Sequence, residues 1–249
     1  MNIGTTEAAA RWDRFADEYA RNHGEMGDLH KEALLNPVLF SLIGDVSRKK
    51  LLDAGCGEGY LSRLLARQGA LVTGVDYSPR MLEHAKSRTP NELVIGYHHG
   101  NLEELDFLEN DQFQLVVSNM VIQDLANYEK AFQEVYRVLE KDGYFIFSIL
   151  HPCFVTPNSG WVKTEEGAKL YWKTDRYFYE GAYEQRIGEE EKMILFHRTL
   201  TSYINALVQT GFLIEEVVEP KPSEEVLMKY PSFGEDLRCA DFLVFKVKK

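Results

Sequence analysis

Leu51-Leu52-Asp53-Ala54-Gly55-Cys56-Gly57-Glu58-Gly59 carries the reading of the fold. A short apolar run ends in an acid, three glycines alternate with other residues, and a helical pattern then runs from Tyr60 to Gln68. That is a strand, a tight turn and a helix start. Glycine permits such a turn and lets a ligand approach the backbone closely. The spacing is G-x-G-x-G, whereas a dinucleotide loop has G-x-G-x-x-G and cradles a pyrophosphate at the helix start. Asp53, just ahead of the glycines, would repel a pyrophosphate and suits an ammonium or sulfonium group. Taken alone, the loop is equally a plain connection between strand and helix.

The next strand supplies context. Val72-Thr73-Gly74-Val75-Asp76 ends in a second acid, whose carboxylate can accept two hydrogen bonds from the hydroxyls of a ribose. Outward from there, Leu71–Val75, Leu93–Tyr97, Phe113–Val117 and Tyr144–Leu150 read as strands. Ser78-Pro79 opens a helix with an N-cap followed by proline, and Tyr128–Leu139 forms another. This alternation predicts a mostly parallel sheet covered on both faces. Upstream, Thr6–Asn22 sets Trp12, Phe15, Ala16 and Tyr19 on one helical face. A second helix, Leu29–Ile43, must place Pro37 in an early turn or kink there. Downstream, His151–His197 breaks the rhythm and is dense in aromatic residues, among them Trp161, Trp172, Tyr177, Phe178 and Tyr183. It is too long for a simple connection and reads as a lid or binding insertion. Thr199–Thr210 is a helix stopped by Gly211, and Phe212–Val218 and Phe242–Val247 form a final antiparallel pair.

From Leu51 to Asp76 the chain resembles the class I S-adenosylmethionine-dependent methyltransferases, and the resemblance extends over Thr6–Lys249. It implies a Rossmann-like α/β fold: a doubly wound, mostly parallel seven-stranded sheet with the last strand antiparallel. The expected organisation is one domain, residues 1–249, with an N-terminal helical lid at 1–46 and the insertion at 151–197 after the fifth strand. The cofactor implied is S-adenosyl-L-methionine. Gly55 and Gly57 would line its methionine moiety, in the loop that also holds Asp53 and Cys56. Asp76 would hold the ribose, and Tyr77 and Met81 would pack near the adenine. Asn101 stands where the family usually carries an acid at the adenine edge, followed by Leu102. Ser118-Asn119-Met120 matches the segment facing cofactor and acceptor together, and Tyr19 resembles the aromatic lid over the cofactor.

Composition restricts the partners. The 249 residues are 45% hydrophobic and 27% charged with a net charge of -11, which argues against nucleic-acid binding through a basic face. Apolar stretches fall short of the ~20 residues of a membrane span. Met1–Ala20 lacks the apolar core of a signal peptide, and three widely spaced cysteines give no disulfide framework. A cytoplasmic protein acting on a small-molecule acceptor is expected, its oligomeric state unspecified. The runs Glu165-Glu166, Glu189–Glu191 and Glu224-Glu225 read as solvated faces.

Methyl transfer is an in-line displacement, and it needs a base only if the acceptor must lose a proton. His151, at the end of the fifth strand, is the candidate base, the alternative being a hydrogen-bonded turn histidine. Gln123 and Asp124, after the fourth strand, are candidates to orient substrate or to cap a helix. Tyr19 is placed at the reacting centre as well as over the cofactor. Arg198 can bind an anionic substrate or form a surface ion pair. The histidines His23, His30, His98 and His99 lack completing ligands, so no metal is expected. Methyl transfer to oxygen, nitrogen or carbon competes with two other readings. One is an S-adenosylmethionine-binding sensor without catalysis; the other is a nicotinamide-dependent oxidoreductase, disfavoured by the glycine spacing and Asp53.

Overall fold

The computed structural model describes residues 3–187 and 192–249, so the Glu189–Glu191 run lies outside the described residues. The chain begins with α1 (Thr5–Arg21) and, after a π-helical turn at Lys31–Leu35, α2 (Asn36–Ile43). Pro37 has no N–H to return to the preceding turn, and the widened turn ahead of it accommodates that loss. Strands and helices then alternate: β1 (Lys50–Ala54), α3 (Tyr60–Arg67), β2 (Leu71–Asp76), α4 (Pro79–Arg88), β3 (Gly96–His99), β4 (Phe113–Asn119), α5 (Tyr128–Val138) and β5 (Leu139–Leu150). Two antiparallel hairpins follow, β6 (Gly160–Lys163) with β7 (Lys169–Lys173) and β8 (Gly181–Arg186) with β9 (Lys192–His197). The chain closes through α6 (Leu200–Thr210), β10 (Leu213–Val218), α7 (Glu224–Lys229) and β11 (Phe242–Lys248).

Seven strands form one sheet in the order β3-β2-β1-β4-β5-β11-β10. Every pairing is parallel except those of β11, which runs antiparallel to both β5 and β10. Side chains alternate between two cores, one on each face. Leu52, Val116, Phe145, Phe147 and Phe245 face one core, with α5 and α6 above them. Leu51, Leu115, Val117, Ile146 and Val244 face the other, under α2 and α3. This period of two, with both sets buried, is why the strands read as nearly continuous apolar runs.

The sheet order reverses between β1 and β4. The crevice outside the carboxyl ends of those strands is where open α/β sheets bind ligands. Two further layers cover it. Helix α1 packs Ala8 against Ile194 and Phe196 of β9, and Arg11 reaches Glu184 Oε1 and the Lys192 carbonyl, each at 2.7 Å. No described helix is long and apolar enough to cross a membrane.

Three expected boundaries shift. The third strand, expected at Leu93–Tyr97, lies at Gly96–His99, because Leu93 N–H closes a turn onto the Pro90 carbonyl and leaves Val94 89% exposed. The fifth begins at Leu139, five residues before Tyr144, with a register irregularity against β4 and Asp142 at φ 64°. The connection from β10 to β11, expected as a loop, contains α7 and a 3-10 turn at Pro231–Glu235.

Candidate active site

At the end of β1, the N–H groups of Gly55 and Cys56 both donate to the Val75 carbonyl, at 2.8 and 3.0 Å. The turn is thereby pinned to the neighbouring strand. Gly55 has φ 83°, and a Cβ there would lie 2.3 Å from Val121 Cγ2. Gly57, at φ 53°, faces the opposite situation: a Cβ would meet no atom within 4 Å. Its bare backbone therefore borders open space.

Asp76, at the tip of β2, closes the rim of that space. Its Oδ2 accepts from Gly57 N–H and its Oδ1 from Ser78 N–H, both at 2.8 Å. Each oxygen retains a further lone pair, and burial raises the carboxyl above its ordinary value. Ser78 caps α4 by accepting from Met81 N–H at 3.1 Å. The resulting cleft spans about 670 Å3 with its solvent-open mouth included. Tyr19, Gly55, Gly57, Asp76, Tyr77, Met81, Asn101, Leu102 and Asn119, all expected there from the sequence, line it. Asn101 Oδ1 already accepts from Glu103 N–H at 3.0 Å, which leaves its amide hydrogens and one lone pair. Asn119 is anchored by Tyr60 and Ser148, each contact at 2.5 Å.

Three expected cofactor residues lie beneath the cleft, absent from its lining. Asp53 is 1% exposed and accepts from Ser62 Oγ at 2.5 Å; burial pushes its carboxyl up to about 7. Ser118 Oγ donates to the Ala54 carbonyl at 2.8 Å. The Cys56 thiol is buried against Gly74, and that burial raises its pKa well above the ordinary value. Asp53 and Ser118 lie at the ends of β1 and β4 and Cys56 in the turn itself, and all three are buried around that turn and brace it. Conversely, Thr5, Ala9 and Trp12 line the cleft. With Tyr19 they continue a single helical face at spacings of four, three and seven residues, a signal that the apolar stripe alone left incomplete.

A second cavity, spanning about 1270 Å3 with its solvent-open mouth included, adjoins the first. The two share Trp12, Tyr19, Met120 and Asp124. The insertion supplies Val155, Trp172, Gln185, Ile187 and Leu195 to its wall. Tyr19 is held at the junction between the His23 ring, 3.8 Å away, and the edge of Trp12, 5.4 Å away. Met120 has φ 64°, an uncommon conformation for a non-glycine residue. Its N–H is fixed by the Ser148 carbonyl and hydroxyl at 3.1 and 3.0 Å.

Gln123 and Asp124, on a 3-10 turn after β4, reach this cavity at 7% and 8% exposure. Burial pushes the Asp124 carboxyl well above the ordinary carboxylate range, with the Trp12 indole N–H opposing it. Arg198 builds the turn from behind. It is 5% exposed, and its guanidinium donates to the carbonyls of Ile122, Leu125 and Ala126. It is therefore a buried clamp, neither a surface ion pair nor a free anion-binding group.

His151, the expected base, lines neither of these cavities. Its Nε2 contacts Glu219 Oε1 at 2.9 Å, and its Nδ1 accepts from Cys153 N–H at 3.2 Å. Both ring nitrogens are engaged, and burial lowers its pKa despite Glu219. The loop leading to β11 covers this end of β5, so the strand-end position points to a braced turn.

The comparisons agree with this geometry. Residues 52–147 match a methyltransferase domain family model. A solved protein from Listeria monocytogenes, provisionally assigned as an S-adenosylmethionine-dependent methyltransferase, is 33% identical with a TM-score of 0.77, over 86% of this chain and 95% of that one. An S-adenosylmethionine-dependent methyltransferase from Mesorhizobium loti is 28% identical with a TM-score of 0.77, over 91% and 100%. A ubiquinone biosynthesis O-methyltransferase from Actinobacillus pleuropneumoniae is 30% identical over 161 residues, which is 60% of this chain and 66% of that protein's length. The open backbone at Gly57 and the free lone pairs of Asp76 suit a nucleoside carrying a sulfonium side chain. With its glycine turn, strand-end acid and sheet order, this chain belongs to the S-adenosylmethionine-dependent methyltransferases.

Proposed function

We propose that one domain, residues 1–249, methylates a small-molecule acceptor held in the second cavity, in the cytoplasm. One observation carries this reading: the two cavities meet at Trp12, Tyr19, Met120 and Asp124. In-line displacement requires nucleophile and methyl donor to converge at one point from separate sites, and alignment there supplies much of the acceleration. In the first cleft, Asp76 holds the ribose hydroxyls and Gly55 and Gly57 line the methionine moiety. Tyr77, Met81, Asn101 and Leu102 surround the adenine. S-adenosylmethionine supplies an electrophilic methyl group when bound. Tyr19 and Trp12 exclude water from the junction, and Gln123 and Asp124 orient the acceptor. The second cavity is roofed by α1 and the insertion, which favours a small molecule over an exposed segment of a macromolecule. The ubiquinone-pathway relative, named for a small-molecule pathway, supports the same class.

The test divides a cell extract by ultrafiltration and incubates each fraction with protein and S-adenosylmethionine. S-adenosylhomocysteine should accumulate with the low-molecular-weight filtrate. Val155→Trp, which fills the second cavity, should abolish that accumulation and leave S-adenosylhomocysteine affinity in place. Turnover only with the retained macromolecules would refute the small-molecule assignment.

A further inference from the structure

Two buried oxygens at or beside the junction have no partner among the described residues: Gln123 Oε1 and Asp124 Oδ1. The Gln123 amide is oriented by its Nε2, which donates to the Met120 carbonyl at 2.6 Å, so the free atom is the acceptor. Trp12 N–H also lacks a partner among the described residues; it influences the Asp124 carboxyl without reaching hydrogen-bond geometry. Buried polar atoms in native proteins are almost always paired. Both residues line the second cavity, and two acceptors left unpaired there specify a ligand that brings donors.

The number of donors selects the ligand. A hydroxyl carries one proton and satisfies one oxygen, a carbon nucleophile satisfies none, and an ammonium carries enough for both. Charge selects in the same direction. Lys31 lines the second cavity, but its Nζ is 2.6 Å from Asp28 Oδ2 and 3.1 Å from His23 Nε2. The Arg198 guanidinium behind the turn is spent on carbonyls. Asp124 and Asp241 remain in the wall with no basic side chain bonded to them among the described residues. Among the described lining residues no lysine or arginine is left free for an anionic acceptor, whereas a cationic one finds two carboxyls. Beyond His30, Trp172 and Asp241, which line both spaces, the cavity continues into an outer chamber bordered by Trp161, Phe233 and Asp236. That chamber gives the remainder of an elongated molecule an aromatic and acidic surround.

We propose that the methylated atom is the nitrogen of a primary or secondary amine that enters as its ammonium and is received by Asp124 and Gln123. The inference rests on the second cavity being the acceptor site. The positive charge of the bound ammonium offsets the burial that raises the Asp124 carboxyl and holds it ionised; the ammonium then gives one proton to that carboxylate while a remaining N–H is held by Gln123 Oε1. The freed nitrogen lone pair forms the new N–C bond as the C–S bond to the methyl breaks, and that electron pair returns to sulfur. The product leaves as an N-methylammonium, and Asp124 gives up its proton to solvent once the cavity opens.

The test uses wild-type protein saturated with S-adenosylhomocysteine and three probes of similar size: 2-phenylethylamine, 2-phenylethanol and phenylacetate. The amine should bind about tenfold or more tightly than the alcohol, the weight of one charge-assisted hydrogen bond, and phenylacetate should not bind. With S-adenosylmethionine in place of S-adenosylhomocysteine, the amine should gain the mass of one methylene group. Asp124→Asn preserves shape and should remove most of the amine's advantage over the alcohol. If S-adenosylhomocysteine itself fails to stabilise the protein, the cofactor-cleft assignment fails. If it stabilises normally and the alcohol or acid binds as well as the amine, or none of the three binds, the amine assignment alone is overturned.

Discussion

Gly55 and Gly57 share a backbone conformation and differ in what surrounds them, so paired alanine substitutions separate folding from binding. An alanine at either position must adopt a left-handed conformation, which costs roughly 1–2 kcal/mol. In a chain of this size that lowers Tm by about 2–4 °C per kcal/mol. For Gly57→Ala there is no further cost to the fold, because the new methyl meets no atom within 4 Å. The methyl instead occupies the open space proposed for the methionine moiety, and overpacking of about 1–3 kcal/mol corresponds to binding weakened about 5- to 150-fold. For Gly55→Ala the methyl falls 2.3, 2.6 and 2.9 Å from three carbons of Val121. Valine is stiff about χ1 and cannot swing aside, so the overpacking cost falls on folding, for a total of about 2–5 kcal/mol. Adding Val121→Ala should recover the packing part of the Gly55→Ala loss and none of the conformational part. Thermal denaturation reads the folding cost, and calorimetric titration with S-adenosylhomocysteine reads the binding cost. A folded Gly57→Ala protein with wild-type affinity would remove Gly57 from the cofactor site. Failure of Val121→Ala to restore Gly55→Ala would show that the loss at Gly55 lies elsewhere.

Two other outcomes follow from buried ionisable groups. Asp53 is held near 7 by burial, against an ordinary value of 3.8. Below about pH 4 both folded and unfolded states carry its proton; between 4 and 7 only the folded state keeps it, so stability falls as pH rises and levels off above 7. The difference of about three pH units amounts to roughly 4 kcal/mol, and urea midpoints from pH 4 to 8 should show Asp53→Asn losing that slope relative to wild type. His151→Asn should leave the pH dependence of turnover unchanged, since the ring is committed to Glu219 and Cys153; a titration near neutrality that vanishes in the variant would restore it as a base.

The central sheet was legible because two local signals coincide there. Strands buried on both faces give continuous apolar runs, and turns at their ends take glycine or an N-cap. The edge strand β3 pairs only with β2, and its residues Gly96, His98 and His99 are exposed, so its position was drawn toward the apolar Leu93-Val94-Ile95. Residues lining the first cleft were legible where backbone conformation restricts residue type, as at Gly55 and Gly57, or where a strand ends in an acid, as at Asp76. Asp53, Cys56 and Ser118 are buried around the turn and do not line the cleft, a difference that a glycine-rich pattern does not encode. At the reacting centre, His151 attracted the base assignment by its place at a strand end. Neither Glu219 nor the cover over β5 is encoded near it. Gln123 and Asp124 depend likewise on a distant partner, since their turn is shaped by Arg198, more than seventy residues later.

That dependence explains why family membership and acceptor identity are separate problems in this chain. The matched methyltransferase stretch, residues 52–147, contains Gly55, Gly57, Asp76, Met81, Leu102 and Asn119, which build most of the first cleft. It ends before Leu150, Val155, Trp172, Gln185, Leu195 and Phe242, which build much of the second cavity. The two regions communicate through few connections. Arg198, leaving β9, grips the carbonyls on either side of Gln123 and Asp124, and Arg11 fastens α1 to the β8–β9 hairpin. A change in the hairpins can therefore reshape the second cavity while β1, β2 and β4 keep the geometry of the first cleft. Similarity over the sheet identifies the reaction. The acceptor has to be read from unpaired atoms and charge in the second cavity, where Gln123 and Asp124 ask for donors.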